Sequence, residues 1–297
     1  MNAPVQTKAE DRRPKTNVRD FLELVKFSHT IFALPFALAS MLVAQNGFPA
    51  WRVFGWILVA MIGARTAAMG FNRIVDRDID ARNPRTRNRE IPAGKVSVGQ
   101  ARTLVGFSVL LFMVAAWQLN TLALLLSPLT VCALFFYSYC KRFTHWAHLV
   151  LGWCLGIAPV GAWVAVRGKI EIAPCLLALG VMFWVGGFDV IYATMDDEFD
   201  REEGIHSLVQ TLGIPKALLA ARVFHALFIA LLVTFGIAAH LSTGFFVGVG
   251  LIALFLVYEH ALVNPRDLRR VNAAFFTVNG IISVMFLAVV ALSVWRH

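Results

Sequence analysis

"RVFGWILVAMIGARTAAMGFNRIVDRDID", residues 52–80, runs from about twenty mostly apolar residues straight into Asn72, Asp76 and Asp80, set four apart. At 1.5 Å of rise per residue, roughly 20 apolar residues cross a hydrocarbon core of about 30 Å, so the first part is expected to be a membrane helix. Residues i and i+4 share a helical face, so the three polar side chains form one oxygen-bearing ridge where that helix leaves the apolar layer. Like charges at this spacing repel, and the ridge calls for a cationic partner.

The rest of the chain supports a membrane reading. Of its 297 residues 58% are hydrophobic and only 15% are charged, and the mean hydropathy is positive, which excludes an ordinary soluble domain. Nine apolar stretches are long enough to span: 27–46, 52–72, 101–119, 121–140, 147–166, 172–193, 217–239, 243–262 and 273–295. The expected fold is therefore all-α and polytopic, with nine transmembrane helices. Residues 1–18 are polar, lack the apolar core of a cleavable signal peptide and are expected to form a cytoplasmic tail. Residues 19–297 are expected to form one domain. The four cysteines fall in predicted spans without metal-ligand spacing and are expected as small core residues.

Most of the 27 Lys and Arg fall in the N-terminal tail and in the connections after spans two, four, six and eight. That bias places those segments, and the N-terminus, in the cytoplasm. The net charge of +9 is thus a topology signal beside an anionic leaflet, and no nucleic acid is expected as a partner. No obligate protein partner is evident either. The acids are distributed unevenly too, since most of the 18 Asp and Glu lie within 76–90 and 189–203. "YATMDDEFDREEG", residues 192–204, repeats the spacing of the first ridge with Tyr192, Asp196 and Asp200.

Carboxylate and amide oxygens without clustered His or Cys suit a hard cation such as Mg²⁺, which shares one or two carboxylates with a phosphate. Two such ridges facing each other would hold a diphosphate, whereas two solvated acidic helix ends are the plain structural alternative. Arg65 lies two turns deeper than Asn72 on the same face, where a charge needs a partner. Asp189 sits at the matching depth in span six, and an Arg65–Asp189 pair is expected. Arg82, Arg85, Arg87 and Arg89 follow the first ridge, and Arg89, beside the "IPAG" turn, is the favoured phosphate contact. Tyr137 and Lys141, one turn apart at the end of span four, are either further contacts or an interfacial pair.

At these residues the chain resembles the UbiA superfamily of intramembrane prenyltransferases. The resemblance covers nearly the whole chain through the NxxxDxxxD helix, the NRxxPxG turn ("NREIPAG"), the YxxxKR end of span four ("YSYCKR") and the YxxxDxxxDxxxG helix. It implies a helical bundle around a central cavity open to the cytoplasm and to lipid, in an inner (cytoplasmic) membrane, binding a polyprenyl diphosphate with Mg²⁺ as cofactor. Residue by residue it assigns Asn72, Asp76, Asp80, Asp196 and Asp200 to the metal and diphosphate. Arg65, Arg89, Tyr137, Lys141 and Tyr192 fall at positions that contact the diphosphate. The wording looks closest to the 4-hydroxybenzoate polyprenyltransferase branch of ubiquinone synthesis, and to its UbiA-like members of the futalosine route to menaquinone.

The implied reaction is prenylation of a hydroxylated aromatic acid, either 4-hydroxybenzoate or 1,4-dihydroxy-6-naphthoate. Hydroxybenzoate enzymes show a KPxG pattern in span one, where this chain has "KFSHT", Lys26 to Thr30. Asp76, Asp80, Asp189, Asp196 and Asp200 are the catalytic candidates, with Asp189 or Asp196 receiving the ring proton. His29, Asp189 and Glu259 are candidates for acceptor binding. His145 and His148, three apart with no further ligands, are expected as interfacial residues. Two rivals remain. One is a prenyltransferase acting on a lipid alcohol, haem or chlorin. The other is a transporter, for which ionisable groups near the bilayer midplane would be expected instead.

Overall fold

The computed structural model describes residues 17–25 and 32–295. The described residues are almost entirely helical: α1 (Val18–Leu24), α2 (Leu34–Gln45), α3 (Trp51–Arg82), α4 (Val98–Leu119), α5 (Thr121–Cys140), α6 (Ala147–Arg167), α7 (Ile172–Ala193), α8 (Asp197–Glu202), α9 (Leu208–Leu212), α10 (Ile214–Ala238), α11 (Thr243–Leu262) and α12 (Asn279–Val294). A π-helix, Ala273–Val278, leads into α12. Among the described residues eight helical runs are long and apolar enough to cross a membrane. The expected first span is represented by α2, whose 12 residues are too few to cross alone. Residues 27–31 of that span lie outside the described residues.

Helix starts carry their signals. Ser97 caps α4 in a reciprocal box with Gln100, the hydroxyl accepting from the Gln100 amide and the Gln100 side chain accepting from the Ser97 amide. Asn120 caps α5 by accepting from the Ala123 amide. In lipid, helices associate through close packing and hydrogen bonds more than through the hydrophobic effect, and small residues permit that approach. Gly152 and Gly156 on α6 do this against α7: a Cβ at either would come within 2.1 or 2.6 Å of the Met182 or Ala178 carbonyl oxygen. Packing so tight makes α7 the central helix. Its Trp184, Val185 and Phe188 are buried in a core shared with Phe36, Phe228 and Phe286. Leu125, Leu129, Leu254 and Val257 project outward, as lipid-facing residues must.

Two departures shape the functional end. Helix α3 runs on to Arg82, ten residues beyond the expected end of its apolar span, and carries the first acidic motif as a rigid extension. The second acidic motif is not one continuous α-helix, because α7 ends at Ala193 and a 3₁₀ turn, Thr194–Asp196, separates it from α8. The Thr194 hydroxyl donates to the Ile191 carbonyl at 2.7 Å, offering the backbone a local alternative to the helical ladder.

Candidate active site

Asn72, Asp76 and Asp80 share the inner face of α3 and line a cavity of about 1580 Å³. Asp76 and Asp80 are only 3% and 4% exposed, a burial that demands cations because an unpaired buried carboxylate is costly. Lys141 Nζ stands 2.7 Å from Asp76 Oδ2, and Arg142 Nη2 3.3 Å from its Oδ1. The Asn72 amide donates to Asp76 Oδ2 at 3.1 Å. Asp80 Oδ1 accepts from Arg89 Nη1 at 2.6 Å, and the buried Arg73 lies 3.9 Å from Oδ2. That second oxygen of Asp80 has no hydrogen-bond partner.

Tyr192, Asp196 and Asp200 line the same cavity from the opposite side. One guanidinium ties the two motifs together: Arg85, in the loop after α3, donates through Nε to Asp196 Oδ1 at 2.8 Å and through Nη2 to Asp196 Oδ2. Its Nη1 donates to the Tyr192 hydroxyl at 2.9 Å. Burial works against the Arg85 charge, but the hydrogen bonds and charge of Asp196 outweigh it and raise the pKa further above its ordinary value. Nearby, Asn83 Nδ2 donates to Asp196 Oδ1 at 3.3 Å, and Arg82 holds Glu203 in a two-pronged pair at 2.7 and 2.8 Å. The two acidic ends therefore meet across one pocket, at one end of the bundle.

Away from this charged end the cavity is apolar, lined by Ile57, Met61, Phe112 and Val164 among others. It reaches residues exposed on the outer surface, such as Leu129 and Phe136 of α5 and Trp153 of α6, so it also opens sideways. Phe275 and Phe276 enter from the π-helix, and Phe275 lies 4.3 Å, ring to ring, from Tyr192.

Arg65, Arg89, Tyr137, Lys141 and Asp189 also line this cavity. Three expectations need correction. Asp189 is held by His148, whose Nδ1 lies 2.7 Å from Asp189 Oδ2, instead of by Arg65. His148 is consequently no interfacial residue, being 5% exposed and part of the cavity wall. Glu259 is fully buried away from the cavity, where it accepts from Asn279 Nδ2 at 2.7 Å and has His225 Nδ1 3.8 Å away, so it does not face an acceptor. His29 lies outside the described residues. Sequence reasoning also undervalued Arg85 relative to Arg89 and passed over Asn83 and Arg142. Arg142, next to Lys141 in the "KR" pair, carried the nearest thing to a signal.

Among the described residues no three His, Cys, Asp or Glu side chains converge as a ready-made metal site. The donor set nevertheless fits Mg²⁺, which prefers oxygen, keeps its own waters and takes one or two carboxylates together with substrate phosphate. Asp76, Asp80, Asp196 and Asp200 all line the one cavity, and Asp80 Oδ2 makes no hydrogen bond, so its lone pairs are not committed to a donor.

The model of the UbiA prenyltransferase family matches residues 33–290. A protein named 4-hydroxybenzoate octaprenyltransferase, from Enterobacter sp. (strain 638), is 30% identical over 258 residues, covering 87% of this chain and 89% of that protein. The apo structure of a UbiA homolog from Aeropyrum pernix K1 superposes with a TM-score of 0.81 at 34% identity, covering 89% of this chain and 97% of that one. A UbiA homolog from Archaeoglobus fulgidus bound to GPP and Mg²⁺ superposes with a TM-score of 0.74 at 20% identity, covering 93% and 99%; this likeness speaks for the fold alone.

Proposed function

The chain belongs to the UbiA prenyltransferase family, and from that premise we propose that it transfers a polyprenyl group from a polyprenyl diphosphate to a hydroxylated aromatic acid in quinone biosynthesis. The observation that carries this reading is the meeting of two acidic motifs across one cavity, with Arg85, Arg89 and Lys141 already placed on their carboxylates. A diphosphate between the motifs takes the donors these cations have left over: an ammonium has three N–H groups and a guanidinium five. Asn72, Asp76, Asp80, Asp196 and Asp200 are the residues that would hold Mg²⁺, which when bound neutralises the charge of the departing diphosphate.

Breaking the donor's C–O bond leaves an allylic cation that any water would capture. The apolar cavity excludes water, and the rings of Phe188, Phe275 and Phe276 present electron-rich faces along its wall. A carbon of the hydroxylated ring supplies the electron pair for the new C–C bond, and the displaced ring proton passes to a carboxylate, for which Asp189 is the candidate. His148 keeps that carboxylate in place. The isoprenoid tail leaves the charged end through the apolar cavity towards the sideways opening. The enzyme sits in the inner (cytoplasmic) membrane, and its charged end, on the side carrying most Lys and Arg, faces the cytoplasm.

The acceptor is 4-hydroxybenzoate, by the name of the 30%-identical relative, or 1,4-dihydroxy-6-naphthoate, which the departure at Lys26–Thr30 favours. Membranes containing the protein, supplied with a polyprenyl diphosphate, Mg²⁺ and each acid in turn, decide between them: the acid that becomes lipid-extractable is the substrate. Absence of product with both acids, or product undiminished after Asp76→Ala, overturns the reading.

A further inference from the structure

A second groove of about 700 Å³ lies outside the central cavity, where α3, α4 and α5 meet. Its floor is apolar, built on the stacked rings of Phe71 and Phe135, 3.9 Å apart and 9° from parallel, and flanked by Val105 and Val109. The space beside Gly106 is open, since a Cβ built there meets nothing within 4 Å. At the end of the groove nearest the acidic motifs stand three arginines from three different segments: Arg77 late in α3, Arg102 in the first turns of α4 and Arg142 just past α5.

Two of these arginines are held in place with donors to spare. Arg77 donates to the Ile74 carbonyl at 3.1 Å and lies 3.3 Å from the exposed Asp78. Arg142 donates to the carbonyls of Ser138 at 2.8 Å and Val75 at 3.0 Å, with its guanidinium 5.6 Å from the centre of the Tyr139 ring. Arg102 is exposed. Asp78 beside Arg77, and Asp76 shared between Arg142 and Lys141, leave this end of the groove with more cations than acids.

A positive rim above an apolar trough, on the side that the charge bias gives to the cytoplasm, has the polarity of a phospholipid in a leaflet. We propose that this groove binds an anionic phospholipid, its phosphate on Arg77, Arg102 and Arg142 and an acyl chain along the Phe71–Phe135 floor beside Gly106. The N-terminal segment is a poor rival occupant, because Lys8, Arg12, Arg13 and Lys15 would meet like charge. Arg142 also reaches Asp76 Oδ1 at 3.3 Å, so the lipid site and the first acidic motif share one guanidinium.

The test is native mass spectrometry of the full-length protein in detergent, titrated with phosphatidylglycerol or phosphatidylcholine of matched chains. Saturable retention of one phosphatidylglycerol is expected, with no comparable retention of phosphatidylcholine. R77Q/R102Q should weaken it by about thirtyfold, two basic contacts of the strength typical beside an anionic leaflet. G106L, which fills the trough without touching charge and can only favour the helix, should weaken both acyl-chain seating and retention. R87Q/K216Q removes the same charge from exposed positions outside the groove and should bind as the wild type does. Equal retention of the two lipids overturns the proposal, as does equal binding by wild type and G106L. So does an equal loss in R87Q/K216Q, which would reduce the effect to general attraction between a basic face and an anionic leaflet.

Discussion

The two acidic motifs have the same spacing but different construction. The first lies on an unbroken helix, its carboxylates nearly inaccessible and matched by Lys141, Arg89 and Arg73. The second lies on a broken helix, half-buried, and its Asp196 is gripped by Arg85 from the loop that follows the first. One is continuous with its membrane helix and the other is interrupted, and Arg85 in the loop between α3 and α4 joins them. If a diphosphate binds between them as proposed, the continuous helix fixes one set of oxygens, and the interrupted one is tied to it through Arg85.

The largest expected effect comes from breaking either half. Asp76→Ala and Asp196→Ala should each reduce prenyl transfer by about a thousandfold or more, since each would remove an oxygen ligand of the proposed Mg²⁺ site. The assay is product formation in membranes with protein level held equal. Comparable activity in either variant would mean that the two motifs do not act as a pair.

Stability should separate the motifs that activity unites. Asp80→Ala leaves Arg73 and Arg89 facing a buried void, and breaking a buried ion pair this way costs roughly 3–5 kcal/mol. Asp196→Ala should cost less, because Arg85, with a third of its side chain exposed, can turn to water. Thermal unfolding in detergent compares the two. If Asp196→Ala proves the more damaging, the contrast between the buried and the half-buried motif fails.

Arg85→Lys keeps the charge but loses the fork that grips both Asp196 and Tyr192. A rise in KM for the prenyl diphosphate of about tenfold or more is expected, with a smaller change in kcat. His148→Gln, which keeps a donor for Asp189 but alters its placement, should lower kcat by several-fold and leave the diphosphate KM unchanged. The smallest effect belongs to Arg82→Gln. Its pair with Glu203 is largely solvent-exposed, and losing it should lower the melting temperature less than either aspartate substitution does.

Much of this was legible in the chain itself. The spans expected at 121–140, 172–193 and 243–262 coincide at both ends with α5, α7 and α11. The apolar layer imposes that length, and caps such as Asn120 mark its edge. The spacing of Asn72, Asp76 and Asp80 correctly put them on one face, because α3 is regular there. The same inference was less exact for Tyr192, Asp196 and Asp200, where the 3₁₀ turn at Thr194–Asp196 interrupts the helix. Arg89, favoured from spacing as a phosphate contact, stands on Asp80, and Arg85 could not be ranked, since its partners depend on how the loop folds back across the bundle.

Hydropathy and i,i+4 spacing are local properties, and they settle which segments become membrane helices and which faces of those helices are polar. The choice of partners is not local. Arg85 meets Asp196 across 111 positions in the chain, and Asp189 takes His148 across 41. A buried charge accepts whichever counter-charge the packing of α6 against α7, and of the α3–α4 loop against α7, brings within hydrogen-bond reach. That geometry comes from close contacts such as Gly152 and Gly156 against the α7 backbone, which no spacing in the chain announces.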